Sequence, residues 1–310
     1  MVNSINLYSN FNIKSQHKGS IILIGNFDGL HLGHQKLFSL AKNYKKKYSL
    51  KIGVLTFEPM PKMYFNKNIK NFRISNQKKK IDILKKLNVD FIITKKFNKQ
   101  FSKTKSINFI EKILKQKLTA KFIFVSNNFR FGNKREGDVR QLIECENRFS
   151  YKIIKPKPLI IKKKIISSTL IRNYLEKGRL KEANKLLNRN WSIEGQVQKG
   201  KQLGKKIGFP TANIDIKDYV LANPGVYAVK VKMNLSSKII NGIANLGYRP
   251  TFNGKKLLLE VHLFNFSGNL YDKNLTVEFL KFIRKEKKFK NMDQLRKQIK
   301  IDLLNAKKAK

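Results

Sequence analysis

The chain has 310 residues, 41% of them hydrophobic and 22 of them Phe, enough apolar material for two globular cores and too much for a disordered chain. Its formal net charge of +47, from 67 Lys and Arg against 20 Asp and Glu, points first to polyanions, yet the lysines run through every segment and single out no face. The expected reading is solvated surface, with weak nonspecific polyanion binding as a side effect and no specific nucleic-acid partner. A single cysteine, Cys145, excludes an internal disulfide and a multi-cysteine metal site and fits a reducing compartment. Met1 to Lys14 is polar and no later apolar run is long enough for a bilayer, so the expectation is a soluble, cytoplasmic protein without a membrane partner.

In chain order, Ile21-Ile22-Leu23-Ile24 is a continuous apolar run of the kind buried on both faces of a parallel sheet. Gly25-Asn26-Phe27-Asp28-Gly29-Leu30-His31-Leu32-Gly33-His34 follows, then Leu37, Leu40, Ala41 and Tyr44 at helical spacing, so the stretch reads strand, tight turn, helix. A helix N-terminus opens beside His31 and His34, where free N–H groups and the positive end of the dipole suit a phosphate. A turn whose histidines satisfy local backbone groups, or half a zinc site, would use the same residues. Only two other His and one Cys exist, none at a familiar ligand spacing, which weighs against zinc.

Lys51 to Phe57 predicts a second strand, and Ser75 an N-cap for a helix carrying Ile81, Leu84 and Leu87. Phe91-Ile92-Ile93 is a third strand, Ser106 caps a helix with Phe109, Ile110, Ile113 and Leu114, and Lys121 to Val125 is a fourth strand. The alternation implies right-handed βαβ units, a parallel sheet with helices on both faces, and ligands at the strands' C-terminal ends. His31, His34 and Ser126-Asn127-Asn128-Phe129-Arg130-Phe131-Gly132 fall there together. Ile166-Ser167-Ser168-Thr169-Leu170-Ile171-Arg172 then starts a short helix, its hydroxyls serving as an N-cap or, with Arg172, as a grip on a triphosphate. Leu180, Ala183, Leu186 and Leu187 form one more helix, and Leu187 to Trp191 is the expected domain boundary.

From Trp191 onward the periodicity is two. Val226 to Val231, Leu257 to Phe266 and Leu275 to Phe282 read as strands, with no helix until about Met292 to Leu304, which predicts a compact antiparallel barrel with a C-terminal helix. Gly200, Gly204 and Gly208 recur at every fourth position ahead of Phe209-Pro210-Thr211-Ala212-Asn213. Such glycines let backbone amides approach phosphates, and Thr211 and Asn213 offer oxygens to Mg²⁺; a hairpin connection is the alternative. In Leu259-Glu260-Val261-His262-Leu263, Glu260 and His262 share one strand face, either as solvated surface or with Glu260 as a base for an attacking hydroxyl.

Together these residues resemble the bacterial bifunctional riboflavin kinase/FAD synthetase family over nearly the whole chain. The resemblance rests on Gly25 to Gly29 with His31 and His34, Phe57-Glu58-Pro59, Asn128 to Gly132, Ile166 to Arg172, Gly208 to Asn213, and Gly225-Val226-Tyr227. It continues through Asn245-Leu246-Gly247 with Arg249-Pro250-Thr251, Leu259 to His262, and Ile283-Arg284 with Glu286 and Phe289. It implies an α/β protein: a Rossmann-like nucleotidyltransferase domain with a parallel sheet over residues 1–187, and an antiparallel β-barrel riboflavin kinase domain with a C-terminal helix over 188–310. The implied chemistry is phosphorylation of riboflavin to FMN with ATP, then adenylylation of FMN with a second ATP to FAD and pyrophosphate, both with Mg²⁺.

By the same resemblance His31 and His34 are catalytic in adenylyl transfer, with Gly25, Asn26, Phe27, Asp28, Asn128, Ser168, Thr169 and Arg172 holding ATP phosphates or flavin. Glu260 is the kinase base; Gly200, Gly204, Gly208, Pro210, Thr211, Asn213 and Arg284 bind ATP or flavin, and Thr211 and Asn213 are the metal ligands. Three residues depart from the family pattern: Ser126 where Gly is common, Met60 where His is frequent, and Asp272 where Gly usually follows Leu-Tyr. Of these, Ser126 bears on the adenylylation site, because a side chain there can crowd a ligand or force a positive φ that serine dislikes. The rivals are a single-activity nucleotidyltransferase of the same α/β type and a nucleic-acid-binding protein favoured by charge alone.

Overall fold

In the computed structural model, the described residues are 5–69, 71–200, 204, 207–216, 218–233, 238–251 and 254–309. Lys201, Gln202, Leu203, Lys205 and Lys206 of the glycine-spaced stretch, and Lys310 of the basic tail, lie outside them. The chain separates into two compact units, one of Met1–Ile69 with Gln77–Ile166, the other of Lys70–Asn76 with Ser167–Lys310.

The first unit runs β1 (Asn6–Tyr8), β2 (Ile21–Ile24), α1 (Leu32–Tyr48), β3 (Ile52–Glu58), α2 (Pro61–Phe65), α3 (Gln77–Lys86), β4 (Phe91–Lys96) and α4 (Lys99–Ser102). Next come α5 (Ser106–Asn108), continued by π-helical Phe109–Lys117, then β5 (Phe122–Phe124), the ribbon β6 (Arg130–Phe131) and β7 (Gly137–Asp138), α6 (Val139–Glu144), α7 (Glu146–Phe149) and β8 (Lys152–Ile154). The hairpin β9 (Ile160–Ile161) and β10 (Lys164–Ile165) closes it.

Six strands pair in parallel in the order β1-β4-β3-β2-β5-β8. Alternation splits β2 between two cores: Ile22 and Ile24 join one with Ile123 and Phe109, while Ile21 and Leu23 join the other with Phe38 and Phe124. Helices therefore cover both faces, as a parallel sheet requires. From β2 the chain proceeds through β3 to β4 on one side and later through β5 to β8 on the other, so the order reverses between β2 and β5. A crevice at such a switch point, at the strands' C-terminal ends, is where open α/β sheets bind ligands.

Two capping expectations need correction. Ser75 stands ahead of α3, which starts at Gln77, and its hydroxyl accepts from Arg189 Nη2 at 3.5 Å. Ser106 is the first residue of α5, with Lys105 in the cap position, and its N–H donates to Glu136 Oε1 at 2.6 Å.

The second unit carries α8 (Ser168–Glu176) and α9 (Leu180–Leu187), then β11 (Ser192–Gln198), β12 (Ala212–Asp215), β13 (Gly225–Met233), β14 (Ile239–Thr251), β15 (Gly254–Leu263), β16 (Asn274–Lys285) and α10 (Met292–Lys307). The strands close an antiparallel barrel in the order β11-β12-β15-β14-β13-β16, with α10 against β13, β14 and β16. Residues 71–76, far upstream in the chain, are built into this unit. Phe72 and Arg73 donate backbone N–H groups to Asp218 O, and the buried Trp191 donates its indole N–H to Ile74 O at 2.9 Å while packing on Phe279. Asn184 of α9 ties helix to barrel, donating to Phe279 O and accepting from Trp191 N.

Candidate active sites

At the head of α1 the backbone pays for an unusual path. Phe27 and Leu30 take φ of 48° and 42°, a left-handed conformation that costs non-glycine residues of order 1–3 kcal/mol each and survives only where the surroundings over-determine it. Burial does so here: Leu30 is 1% exposed, and the Phe27 ring packs on Phe38 and edge-on to His34 at 5.2 Å. A side chain at Gly25 would press on that ring at 3.2 Å. Asp28 is buried in the turn as well.

His31 is the N-cap of α1. Its Nδ1 accepts the His34 N–H at 3.4 Å, which assigns the ring proton to Nε2 and makes that atom a donor. The His31 and His34 rings stack at 3.7 Å. Burial first, and the neighbouring His31 second, hold His34 well below the usual imidazole range, so it is neutral at pH 7. His34 Nδ1 is a buried polar atom without a hydrogen-bond partner among the described residues. The His31 Nε2–H donor at a helix N-terminus, with the neutral His34 ring stacked beside it, suits charge developing on a phosphate.

Leu23 pairs with Phe124, so the loop after β5 starts level with this turn. There Ser126 Oγ donates to Asn128 Oδ1 at 2.9 Å, and Phe129 N donates to Ser126 O. Ser126 does not take a positive φ, so of the two alternatives the backbone one does not apply. Of the other departures, Met60 is buried ahead of α2, and Asp272 does sit at φ 63°, where Asp is better tolerated than most residues.

The carbonyl of Ile166, last residue of the first unit, lies 3.5 Å from where a Gly33 Cβ would stand. Ser167, the next residue, caps α8 through its side chain, accepting from Leu170 N at 3.2 Å. Ser168, Thr169 and Arg172 of α8 belong by packing to the second unit, where Arg172 lies over the Phe72 ring at 3.7 Å and donates to Phe72 O.

On the barrel, register builds the second site. Asn213 of β12 and Asn245 of β14 both stand directly opposite Glu260 of β15, a polar row across three strands. Leu259, Val261 and Leu263 fill the core on the other face. Glu260 engages no hydrogen-bond or ion-pair partner among the described residues. The Asn213 amide is buried, and its Oδ1 has no partner there. A Cβ at Gly200 would collide with that amide and one at Gly204 with the Phe209 carbonyl, beside Thr211 Oγ1 at 3.3 Å, while Gly208 has open space around it but adopts φ 87°, so each spaced glycine has its own reason. His262 is hydrogen-bonded through Nδ1 to Pro210 O at 2.8 Å, anchoring the strand entry that presents Thr211.

Arg284 is differently placed. Its Nε and Nη2 grip Asp302 of α10 at 2.6–2.9 Å and its Nη1 donates to Lys285 O, so the guanidinium ties α10 to the barrel. Asp302 is 2% exposed and also accepts from Gln298. Removing one partner of a buried pair strands the other charge, so Asp302→Ala should cost about 3 kcal/mol, read as a lowered midpoint in denaturant. An unchanged midpoint would show the pair to be solvated.

Asn245, His262 and the Asn213–Glu260 pairing depend on strand register, and no local sequence pattern marks them as partners. The family model described as FAD synthetase matches residues 13–170, and that described as riboflavin kinase matches residues 187–310. The chain is 41% identical over 300 residues to the bifunctional riboflavin kinase/FMN adenylyltransferase of Buchnera aphidicola subsp. Schizaphis graminum, covering 96% of each. It is 41% identical over 290 residues to that of Haemophilus influenzae, covering 94% of each, and 36% identical over 293 residues to that of Escherichia coli K12, covering 94% of this chain and 93% of that one. A crystal structure described as a macrolide-efflux protein from Streptococcus pneumoniae superposes with a TM-score of 0.84 at 30% identity, over 97% of this chain and 98% of that one.

Proposed function

Since the chain belongs to the bifunctional riboflavin kinase/FMN adenylyltransferase family, we propose that it makes FAD in two steps. Riboflavin and ATP give FMN and ADP; FMN and a second ATP give FAD and pyrophosphate. The kinase activity is assigned to residues 188–310 and the adenylyltransferase activity to residues 1–187. The observation that carries the reading is the coincidence, in one chain, of a His31/His34 anion site at the switch point of a parallel sheet and an Asn213–Glu260–Asn245 row on a closed barrel.

In phosphorylation Glu260 accepts the proton of the ribityl hydroxyl as that oxygen attacks the γ-phosphorus, while Gly200, Gly204, Gly208 and Pro210 shape the loop around ATP. Arg284 contributes by fixing α10 and the end of β16. Mg²⁺ fits the donor set, because the buried Asn213 Oδ1 lacks a partner among the described residues and the Thr211 hydroxyl lies two residues before it. Thr211 and Asn213 would hold the ion together with substrate phosphates, as Mg²⁺ prefers, and it would neutralise phosphate charge.

In adenylyl transfer an FMN phosphate oxygen displaces pyrophosphate from the α-phosphorus, with no covalent enzyme intermediate. His31 donates from Nε2, and the neutral His34 donates from its protonated ring nitrogen, to the developing charge. Gly25, Asn26, Phe27 and Asp28 shape the turn, Asn128 orients flavin or nucleotide, and Ser168, Thr169 and Arg172 hold the triphosphate.

No helix among the described residues is long and apolar enough to cross a membrane. A cytoplasmic setting, where ATP is abundant, suits the reactions, and neither requires a nucleic acid. The test is to incubate the protein with riboflavin, ATP and Mg²⁺ and separate the flavins over time. FMN first and FAD later is the expected result; formation of neither nucleotide overturns the reading.

A further inference from the structure

Lys80 closes the run Lys78-Lys79-Lys80 in α3, yet it is 4% exposed. A buried ammonium is costly unless its donors are used. Its Nζ donates to Thr56 Oγ1 at 3.2 Å and to Asn26 O at 3.3 Å, and the fully buried Thr56 turns its own hydroxyl toward the same Asn26 carbonyl at 3.5 Å. Asn26 opens the turn in which Phe27 and Leu30 sit at positive φ. At the far end of that turn Gln35 Nε2 donates to Leu30 O at 2.9 Å, so the strained segment is held at both ends. Gln77, one turn earlier in α3, reaches Thr94 Oγ1 at 3.2 Å, which fixes the helix to β4 beside β3.

We propose that Lys80 is a positioning residue for adenylyl transfer: through the Asn26 carbonyl and Thr56 it holds the strained Gly25–Leu30 turn in the path that sets His31 and His34 at the head of α1. Lys80 need not touch substrate. The inference rests on the adenylyltransferase reading above, and the riboflavin kinase reaction of the same protein supplies an internal reference.

The test uses the full chain with supplied FMN and ATP. Lys80→Met keeps the stem and removes the donors; kcat for FAD formation should fall roughly 10- to 100-fold, the scale of a misplaced catalytic group, with a smaller change in KM for ATP and unchanged riboflavin phosphorylation. Thr56→Val should lower the same kcat by a smaller factor, and Thr56→Ser, which retains the hydroxyl, should restore it. If Lys80→Met does not fold, the Thr56 pair decides: a rate that follows the hydroxyl supports the inference, and equal rates overturn it. A folded Lys80→Met that merely melts earlier, with kcat intact, makes Lys80 a structural anchor and overturns the inference while the adenylyltransferase reading stands. If the unsubstituted protein makes FMN but no FAD, both fall.

Discussion

Glu260→Gln should lower the rate of riboflavin phosphorylation by roughly a hundredfold or more while adenylylation of supplied FMN continues. Gln keeps the shape of Glu and its place opposite Asn213 and Asn245, but it cannot take the hydroxyl proton. The magnitude is that of a positioned general base. The fold should be indifferent, since Glu260 makes no ion pair or hydrogen bond among the described residues and the core face of β15 is carried by Leu259, Val261 and Leu263. The check is initial rates of FMN and FAD formation on one preparation, beside a melting curve. A kinase rate within a few-fold of the unsubstituted protein would remove Glu260 from the chemistry.

His31→Ala should lower FAD formation from FMN by about two orders of magnitude and leave FMN formation intact, the expected cost of deleting one donor aimed at developing charge. The substitution has a second consequence, because His31 Nδ1 also caps α1. Loss of the cap should destabilise the first unit by about 1 kcal/mol. His31→Asn separates the two effects: Asn is a good N-cap but places no donor where His31 Nε2 stands. Stability should return with Asn and the rate should not. A rate that recovers with the cap would mean that His31 acts through helix geometry alone.

Much of this was legible in the amino-acid sequence. Ile21 to Ile24 reads as a doubly buried strand because every residue is apolar, and Leu37, Leu40, Ala41 and Tyr44 announce the helix that follows, so the parallel sheet and its ligand end were foreseeable. The edges were not. β1 is three residues at the margin of the sheet, and β8, Lys-Ile-Ile, is too short to carry a period. In the barrel, β11 and β14 hide among Gly, Asn, Gln and Pro, since a strand can take its stability from its neighbours in place of its own pattern.

The second unit's use of residues 71–76 was equally hidden, because one indole N–H and a few backbone groups carry it. The candidate sites divide the same way. His31, His34, Thr211, Asn213 and Glu260 stand out by residue type and spacing, whereas the row Asn213–Glu260–Asn245 exists only in the register of three strands. Arg284, a ligand by resemblance, also holds Asp302 of α10, and Lys80 looks like part of a solvated charge run and is buried under the Gly25–Leu30 turn.

The two-site account is tested most directly by complementation. Glu260→Gln and His31→Ala proteins are each incubated with riboflavin, ATP and Mg²⁺, and then mixed. Alone, the first should leave riboflavin almost unconverted and the second should stop at FMN. Mixed, they should make FAD, because FMN released by the kinase site of one molecule is the substrate for the intact adenylyltransferase site of the other. A mixture of folded variants that accumulates FMN without FAD would contradict two independent sites joined by a diffusible intermediate.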